Sequence, residues 1–308
     1  MSSLQSFFFR FCLNYMKATT DWGRPVAKQR AELERHAHWL KLPEQVEVKP
    51  VAANGVAAEW LQPVGAALDQ VLLYLHGGGY TMGSCNTHRA MTARIAKASR
   101  IRALLLEYRL APEYPFPAAV EDALAAYAWL RQSGTSPQQI VIAGDSAGGG
   151  LTLATLLSLR DAGEPLPAAA ICISPLTDLA GAGESLRTRA QADPWLTPEI
   201  LGLTRHYMGE HDPRLPLLSP LYADLHGLPP LLIQVGQDEI LLSDSTRLAE
   251  QAQAAGVEVT LEVWPDMWHV WHLFAPQLPE AQQAIHVIGA FTQQCLKAAQ
   301  AREQGQTC

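Results

Sequence analysis

Six short apolar runs stand out along the chain, at residues 71–75, 103–106, 140–142, 170–173, 231–235 and 257–263. Most are continuous rather than alternating, as strands buried on both faces require. Between them lie stretches rich in helix formers, at 88–99, 118–132, 151–162 and 243–255. Strands that alternate with helices predict an α/β fold, with a mostly parallel central sheet flanked by helices. In such sheets the working residues gather where the strands end, at their carboxyl edge.

Two regions depart from this rhythm. Residues up to about 45 are helical in pattern, with mixed charge over 27–35, and Pro43 closes them. A hairpin follows, in which 46–48 and 56–61 flank Asn54-Gly55, the pair that a tight two-residue turn favours. The second departure, 184–222, holds several prolines and a helical piece ending near Met208, but no strand pattern. With no repeat or linker in the sequence, residues 1–308 read as a single domain whose cap is formed by about 1–45 and about 184–222.

Composition narrows the partners. The 308 residues are 48% hydrophobic and 17% charged, enough for a large core, and the formal net charge of -7 argues against nucleic acid or an anionic membrane. Five scattered cysteines, Cys12, Cys85, Cys172, Cys295 and Cys308, contain no C-x-x-C pair and read as free thiols of a reducing compartment. The start is aromatic, with Phe7, Phe8, Phe9 and Phe11, but no basic region precedes it, Arg10 interrupts it and no small-residue cleavage site follows. It is too short to span a bilayer, so it predicts an amphipathic helix docked on the body of a cytoplasmic protein with no transmembrane segment.

The candidate chemistry centres on Gly144-Asp145-Ser146-Ala147-Gly148, set between an apolar run and a helical one. Glycines two residues either side let strand and helix close tightly while Ser146 projects its hydroxyl from the turn. Three glycines, Gly77, Gly78 and Gly79, follow His76 directly after the 71–75 strand. They free backbone N–H groups, so Gly78, Gly79 and Ala147 are the candidate oxyanion hole. This glycine run lacks the spacing of a P-loop or a dinucleotide fold. A serine hydroxyl needs a base, and the base a carboxylate to orient it. Asp238, the first carboxylate after the 231–235 strand and Gly236, is the candidate acid, with Glu239, Asp244 and Asp266 as rivals. His269, in the loop after 257–263, is the candidate base, with His272 as its rival.

Together with Tyr108-Arg109-Leu110-Ala111-Pro112-Glu113-Tyr114-Pro115-Phe116-Pro117-Ala118-Ala119, these motifs resemble the bacterial hormone-sensitive-lipase-like (family IV) carboxylesterases of the α/β-hydrolase superfamily, the G-D-S-A-G branch. The order Ser146, Asp238, His269 is the one that fold displays. The resemblance implies hydrolysis of short- to medium-chain carboxylic esters under a helical cap. It implies that His76 braces the glycine loop, that Asp145 anchors neighbouring loops, and that no metal or cofactor is needed. Glu239 stands where such enzymes often have proline. The resemblance also admits a homodimer, through the sheet edge near 257–263. Phe7, Phe8, Phe11, Tyr15, Trp22, Trp195, Leu196, Leu203 and Tyr207 are candidates for an apolar pocket, and Tyr80, Trp195, Leu196 and Tyr207 for substrate contact. The partner expected is a small-molecule ester. A lactonase or amidase would use the same residues, and a ligand-binding protein, as in the related plant gibberellin receptors, would lack the base.

Overall fold

The structure is a computed structural model and describes residues 2–37 and 40–305. Two helices open the chain, α1 (Leu4–Thr19) and α2 (Val26–Ala37), followed by a hairpin of β1 (Val46–Ala53) and β2 (Val56–Pro63). Both hairpin turn residues have positive φ, 49° at Asn54 and 87° at Gly55, the left-handed pair that matches strand twist. Strands and helices then alternate through β3 (Ala67–Leu75), α3 (Cys85–Ser99), β4 (Ile101–Leu106) and α4 (Ala118–Gln132). The series continues with β5 (Ile140–Asp145), α5 (Ala147–Asp161) and β6 (Ala169–Ile173). After β6 come the short α6 (Ser185–Thr188) and α7 (Leu201–Met208), and then β7 (Leu231–Gly236), α8 (Leu242–Ala254), β8 (Val259–Trp264) and α9 (Pro279–Gly305).

All eight strands form one sheet in the order β1-β2-β4-β3-β5-β6-β7-β8. Pairing is antiparallel for β1 with β2 and β2 with β4, and parallel from β4 through β8. This is the α/β-hydrolase arrangement. Successive side chains of β3 point to opposite faces, so Leu73 and Leu75 pack with α4 and α5 while Leu72 and Tyr74 pack with α3 and α9. Each face is thereby sealed by helices, which is why the central strands carry apolar residues at every position.

Element starts differ from the sequence pattern where a cap or glycine decides them. Helix α3 begins at Cys85 because the Ser84 hydroxyl accepts from the Thr87 N–H while the Thr87 hydroxyl accepts from the Ser84 N–H. Helix α5 takes in Ala147 and the glycines after it, since a Cβ at Gly148 would run into the carbonyls of Leu75 and His76. Strand β8 lies at one edge of the sheet, and Val263 on it is half exposed.

The two departing regions meet. Ser3 ties the start of α1 to α9, donating from its N–H and hydroxyl to Glu280 at 2.7 and 2.9 Å. The Arg10 guanidinium then donates to the Ala192 carbonyl at 3.0 Å, and the Lys17 ammonium to the carbonyls of Ala190 and Asp193 at 2.7 and 2.6 Å. Phe7, Phe8, Phe11 and Tyr15, expected to line a pocket, instead face outward at 63, 63, 73 and 69% exposure. The reason is that Arg10, Leu13 and Lys17 occupy the inward face, where their partners lie. Among the described residues no helix is long and apolar enough to cross a membrane. Cys85, Cys172 and Cys295 are buried free thiols and Cys12 is partly buried, while Cys308 lies outside the described residues.

Candidate active site

Strand β5 ends and α5 begins at Ser146, whose φ of 53° and ψ of -121° give the sharp reversal of a strand-to-helix elbow. Such a backbone is strained for a residue with a side chain and persists only where its surroundings fix it. Here they do: the Ser146 N–H donates to the Ile173 carbonyl at 2.8 Å, and its own carbonyl accepts from Leu176 at 2.9 Å and Gly149 at 3.0 Å. A Cβ at Gly144 would strike the Gly148 carbonyl, so only glycine permits this close approach. Ala147, the first residue of α5, has no intrahelical acceptor for its N–H.

The glycine loop lies beside this elbow, directly after β3. Gly78 and Gly79 take φ of 118° and 62°, and a Cβ on Gly78 would collide with the Met82 carbonyl. Among the described residues no hydrogen bond takes up the N–H of either glycine, so both remain available to a ligand oxygen. One carboxylate ties this loop to the elbow. Buried Asp145, adjacent to Ser146, accepts from the Gly77 N–H at 3.1 Å, the Tyr74 hydroxyl at 2.8 Å and His88 Nε2 at 3.2 Å. Burial opposes its charge, but His88 foremost holds its pKa below the ordinary carboxylate value.

His76 stacks on Tyr108 with ring centroids 4.2 Å apart, and the Tyr108 hydroxyl donates to the His76 carbonyl at 2.7 Å. Burial pushes the His76 pKa down to about 3, so the ring is neutral packing rather than a base. The segment after Tyr108 is locked to the same loop, since the Ala111 N–H donates to the Tyr80 carbonyl at 2.9 Å. From α2, Arg30 bridges the two by donating to the carbonyls of Thr81 and Ala111 at 2.6 and 2.5 Å.

On the far side of the elbow, His269 hangs from the loop after β8, 5% exposed. Its Nδ1 lies 2.9 Å from Glu239 Oε2, and Glu239 is fully buried. The other Glu239 oxygen accepts from the Gly236 N–H at 3.2 Å. Burial works against charge on the His269 ring, yet the Glu239 hydrogen bond and charge prevail and raise its pKa above the ordinary histidine value.

The carboxylate expected at this position, Asp238, is elsewhere. Its Oδ2 accepts from Arg10 at 2.9 Å, and Arg189 lies 4.0 Å from its Oδ1. The tight turn after Gly236, closed by the Asp238 N–H on the Met267 carbonyl at 2.9 Å, sends Asp238 out toward these cations and Glu239 inward. Asp266 is exposed and accepts from the Ser2 hydroxyl, and Asp244 holds the N–H groups of Thr177 and Asp178. His272 is buried against Gln234, its Nε2 2.8 Å from Oε1, and burial lowers its pKa to about 3.

Of the substrate-contact candidates, Trp195 lies beside the histidine, its ring edge-on to His269 with centroids 6.3 Å apart. It is held there by Asp193, which accepts from the N–H groups of Trp195 and Leu196 at 2.9 Å each and of Ile240 at 3.0 Å. Leu196 is buried in the core beside it. Tyr80 and Tyr207 stack flat at 3.9 Å, both buried. Trp22 and Leu203 line a separate cavity of about 610 Å³ between the α1–α2 turn and α7, whose lining excludes Ser146 and His269. The structure adds Glu239, Asp193, His88, Arg10 and Arg30 to the residues that build the site. Only Glu239 carried a signal, as a neighbouring carboxylate at the same strand end.

Comparison with known proteins identifies the family that shares this fold. The family profile described as alpha/beta hydrolase fold matches residues 72–273. An acetyl-hydrolase of Streptomyces hygroscopicus is 50% identical over 243 residues, 78% of this chain and 81% of the relative. A putative acetyl-hydrolase of Mycobacterium tuberculosis, LipR, is 37% identical over 91% of each chain. The crystal structure of an esterase from the bacterial hormone-sensitive lipase family superposes with a TM-score of 0.92 at 47% identity, covering 96% of this chain and 100% of the other. An α/β-hydrolase sheet and relatives of this closeness together establish that the chain belongs to the hormone-sensitive-lipase-like carboxylesterases and is a carboxylic ester hydrolase.

Proposed function

We propose that this carboxylesterase cleaves short- to medium-chain esters through Ser146, His269 and Glu239, by way of an acyl-enzyme. The observation that carries the reading is the buried 2.9 Å contact between His269 Nδ1 and Glu239, on loops that leave the same carboxyl edge of the parallel sheet as the strained Ser146 elbow. With Nδ1 committed to the carboxylate, the lone pair of Nε2 is the one free to take a proton.

Each step then has its group. His269 removes the Ser146 proton as the hydroxyl oxygen attacks the ester carbonyl, and Glu239 stabilises the imidazolium. The N–H groups of Gly78, Gly79 and Ala147 receive the oxyanion, in a loop that Asp145 and Tyr108 hold in place. His269 gives its proton to the departing alcohol oxygen, and water repeats the sequence on the acyl-enzyme to release acid and free serine.

The preference for small acyl groups follows from the walls. Trp195 beside His269 and the flat Tyr80–Tyr207 pair, with Leu196 behind, supply rigid apolar surface. Helices α1, α2 and α7, with the residues around Asp193, act as the cap. The test is turnover of 4-nitrophenyl esters of graded acyl length by wild type and Ser146→Ala. Fast hydrolysis of acetate to hexanoate esters, abolished in the variant, is expected. A maximum on long-chain triglyceride emulsions would overturn the size preference, and activity surviving in Ser146→Ala would overturn the nucleophile. Turnover confined to lactones or amides would move the same residues to a different substrate class.

A further inference from the structure

Helix α1 packs Phe9 and Leu13 inward but leaves most of its large apolar side chains outside while its charged ones turn in. Arg10 and Lys17 are the only charged residues between positions 2 and 20, and both turn inward onto carbonyls of residues 190–193, with Arg10 reaching Asp238 and the Asp266 carbonyl as well. Leu4, Phe7, Phe8, Phe11 and Tyr15 turn outward at 85, 63, 63, 73 and 69% exposure. Their spacing places all five on one face of the helix. A helix on the surface of a water-soluble body ordinarily does the reverse, and an uninterrupted apolar face of this kind marks a surface that meets something else.

We infer that this face docks on a phospholipid bilayer of zero net charge, with α1 lying in the plane of the interface. The residue types are those that interfacial helices bury at the boundary between headgroups and acyl chains, aromatic rings and leucine. Charge selects the lipid. With both cations of α1 engaged inside, the outward face offers nothing to an anionic headgroup, and a chain of net charge -7 is repelled by an anionic bilayer. A zwitterionic surface imposes neither penalty.

Size argues against a second copy of the chain as the occupant. By the usual extent of such side chains, the exposed face amounts to about 600 Å². A single convex helix pressed on its own copy covers only the strip along the contact line, well short of the roughly 800 Å² per partner of a stable interface. A bilayer, by contrast, envelops the whole face. The docking stands independently of the esterase mechanism, although Arg10 joins α1 to the two loops that carry Glu239 and His269.

The test is flotation of the full chain through a density gradient with phosphatidylcholine vesicles. Wild type should rise with the vesicles. The triple variant Phe7→Ser, Phe8→Ser, Phe11→Ser should partition at least about tenfold less, since each ring removed forfeits a large apolar transfer. Phe8→Glu alone should act in the same direction, and thermal unfolding at the wild-type temperature would show that both variants are folded. Replacing a third of the lipid by phosphatidylglycerol should weaken the wild-type binding at low salt. Three results would overturn the inference: wild type that stays below the vesicles, a triple variant that floats as well as wild type, or a wild-type dimer in sedimentation that the triple substitution splits while neither protein binds vesicles.

Discussion

Replacing Glu239 by Gln, beside Asp238→Asn as its neighbour control, separates the two carboxylates that the sequence leaves adjacent. Gln keeps the volume of Glu239 and its contact with the Gly236 N–H, but removes the charge that faces His269 Nδ1 at 2.9 Å in a fully buried setting. Two unit charges about 4 Å apart at an effective dielectric near 20 attract by about 4 kcal/mol, a stabilisation of the transition-state imidazolium that the Gln variant lacks. A factor of about 10³ in kcat follows from that attraction alone. The amide can also hold the ring in the wrong tautomer, and loss of a triad carboxylate in serine proteases costs about 10⁴. Asp238 is partly exposed and paired with Arg10, an arrangement worth about 1 kcal/mol or less to stability, so Asp238→Asn should change kcat by less than about fivefold. Steady-state kcat and KM on 4-nitrophenyl butyrate decide the matter. A loss of 10³ in Asp238→Asn with near-normal Glu239→Gln would refute the assignment.

Other outcomes follow from the same geometry. His269 must be neutral to accept the serine proton, and its raised pKa moves the acid limb of kcat/KM above the pH of about 6.5 typical of histidine; Glu239→Gln should shift the residual limb back down. The protonated His269–Glu239 pair stabilises the fold just below the ordinary histidine pKa, a contribution lost as pH rises through the raised value and, because burial raises the Glu239 carboxyl too, weakened in more acid solution, so Glu239→Gln should lower the melting temperature more at pH 6 than at pH 9. Gly148→Ala forces a methyl into the carbonyls of Leu75 and His76, and should destabilise by about 1–3 kcal/mol or more in denaturant unfolding. Arg10→Ala removes donors from Ala192, Asp238 and Asp266 together, and limited proteolysis within the first twenty residues should become faster while the midpoint of global unfolding changes little.

The sheet and the elbow were legible because each depends on short-range pattern. Continuous apolar runs gave the strands, Asn54-Gly55 gave the hairpin, and the glycines around Ser146 can be nothing larger in so close a packing. The acid was not legible, because one residue of difference in a tight turn reverses which side chain points inward. Position after the strand favoured Asp238, whereas the turn closed on Met267 and the pull of Arg10, from an element 228 residues away, directed it outward. The outward turn of the Phe residues is hidden from the sequence for a related reason. Hydrophobicity alone assigns them to the interior, and only the carbonyl partners of Arg10 and Lys17 reveal which face of α1 is turned in.

The carboxylate of Asp145 has a consequence for how the protein tolerates change. It joins the nucleophile turn to the glycine loop within the body of the sheet, through Tyr74, Gly77 and His88. The acid and base loops have a different support, the guanidinium of Arg10. Damage confined to α1 therefore spares the half of the machinery that forms the acyl bond and holds its oxygen, and loosens the half that moves protons, whereas α2 holds the glycine loop through Arg30. Substrate range can be redrawn by altering the helices above the site, provided that Arg10 and Arg30 are left in place.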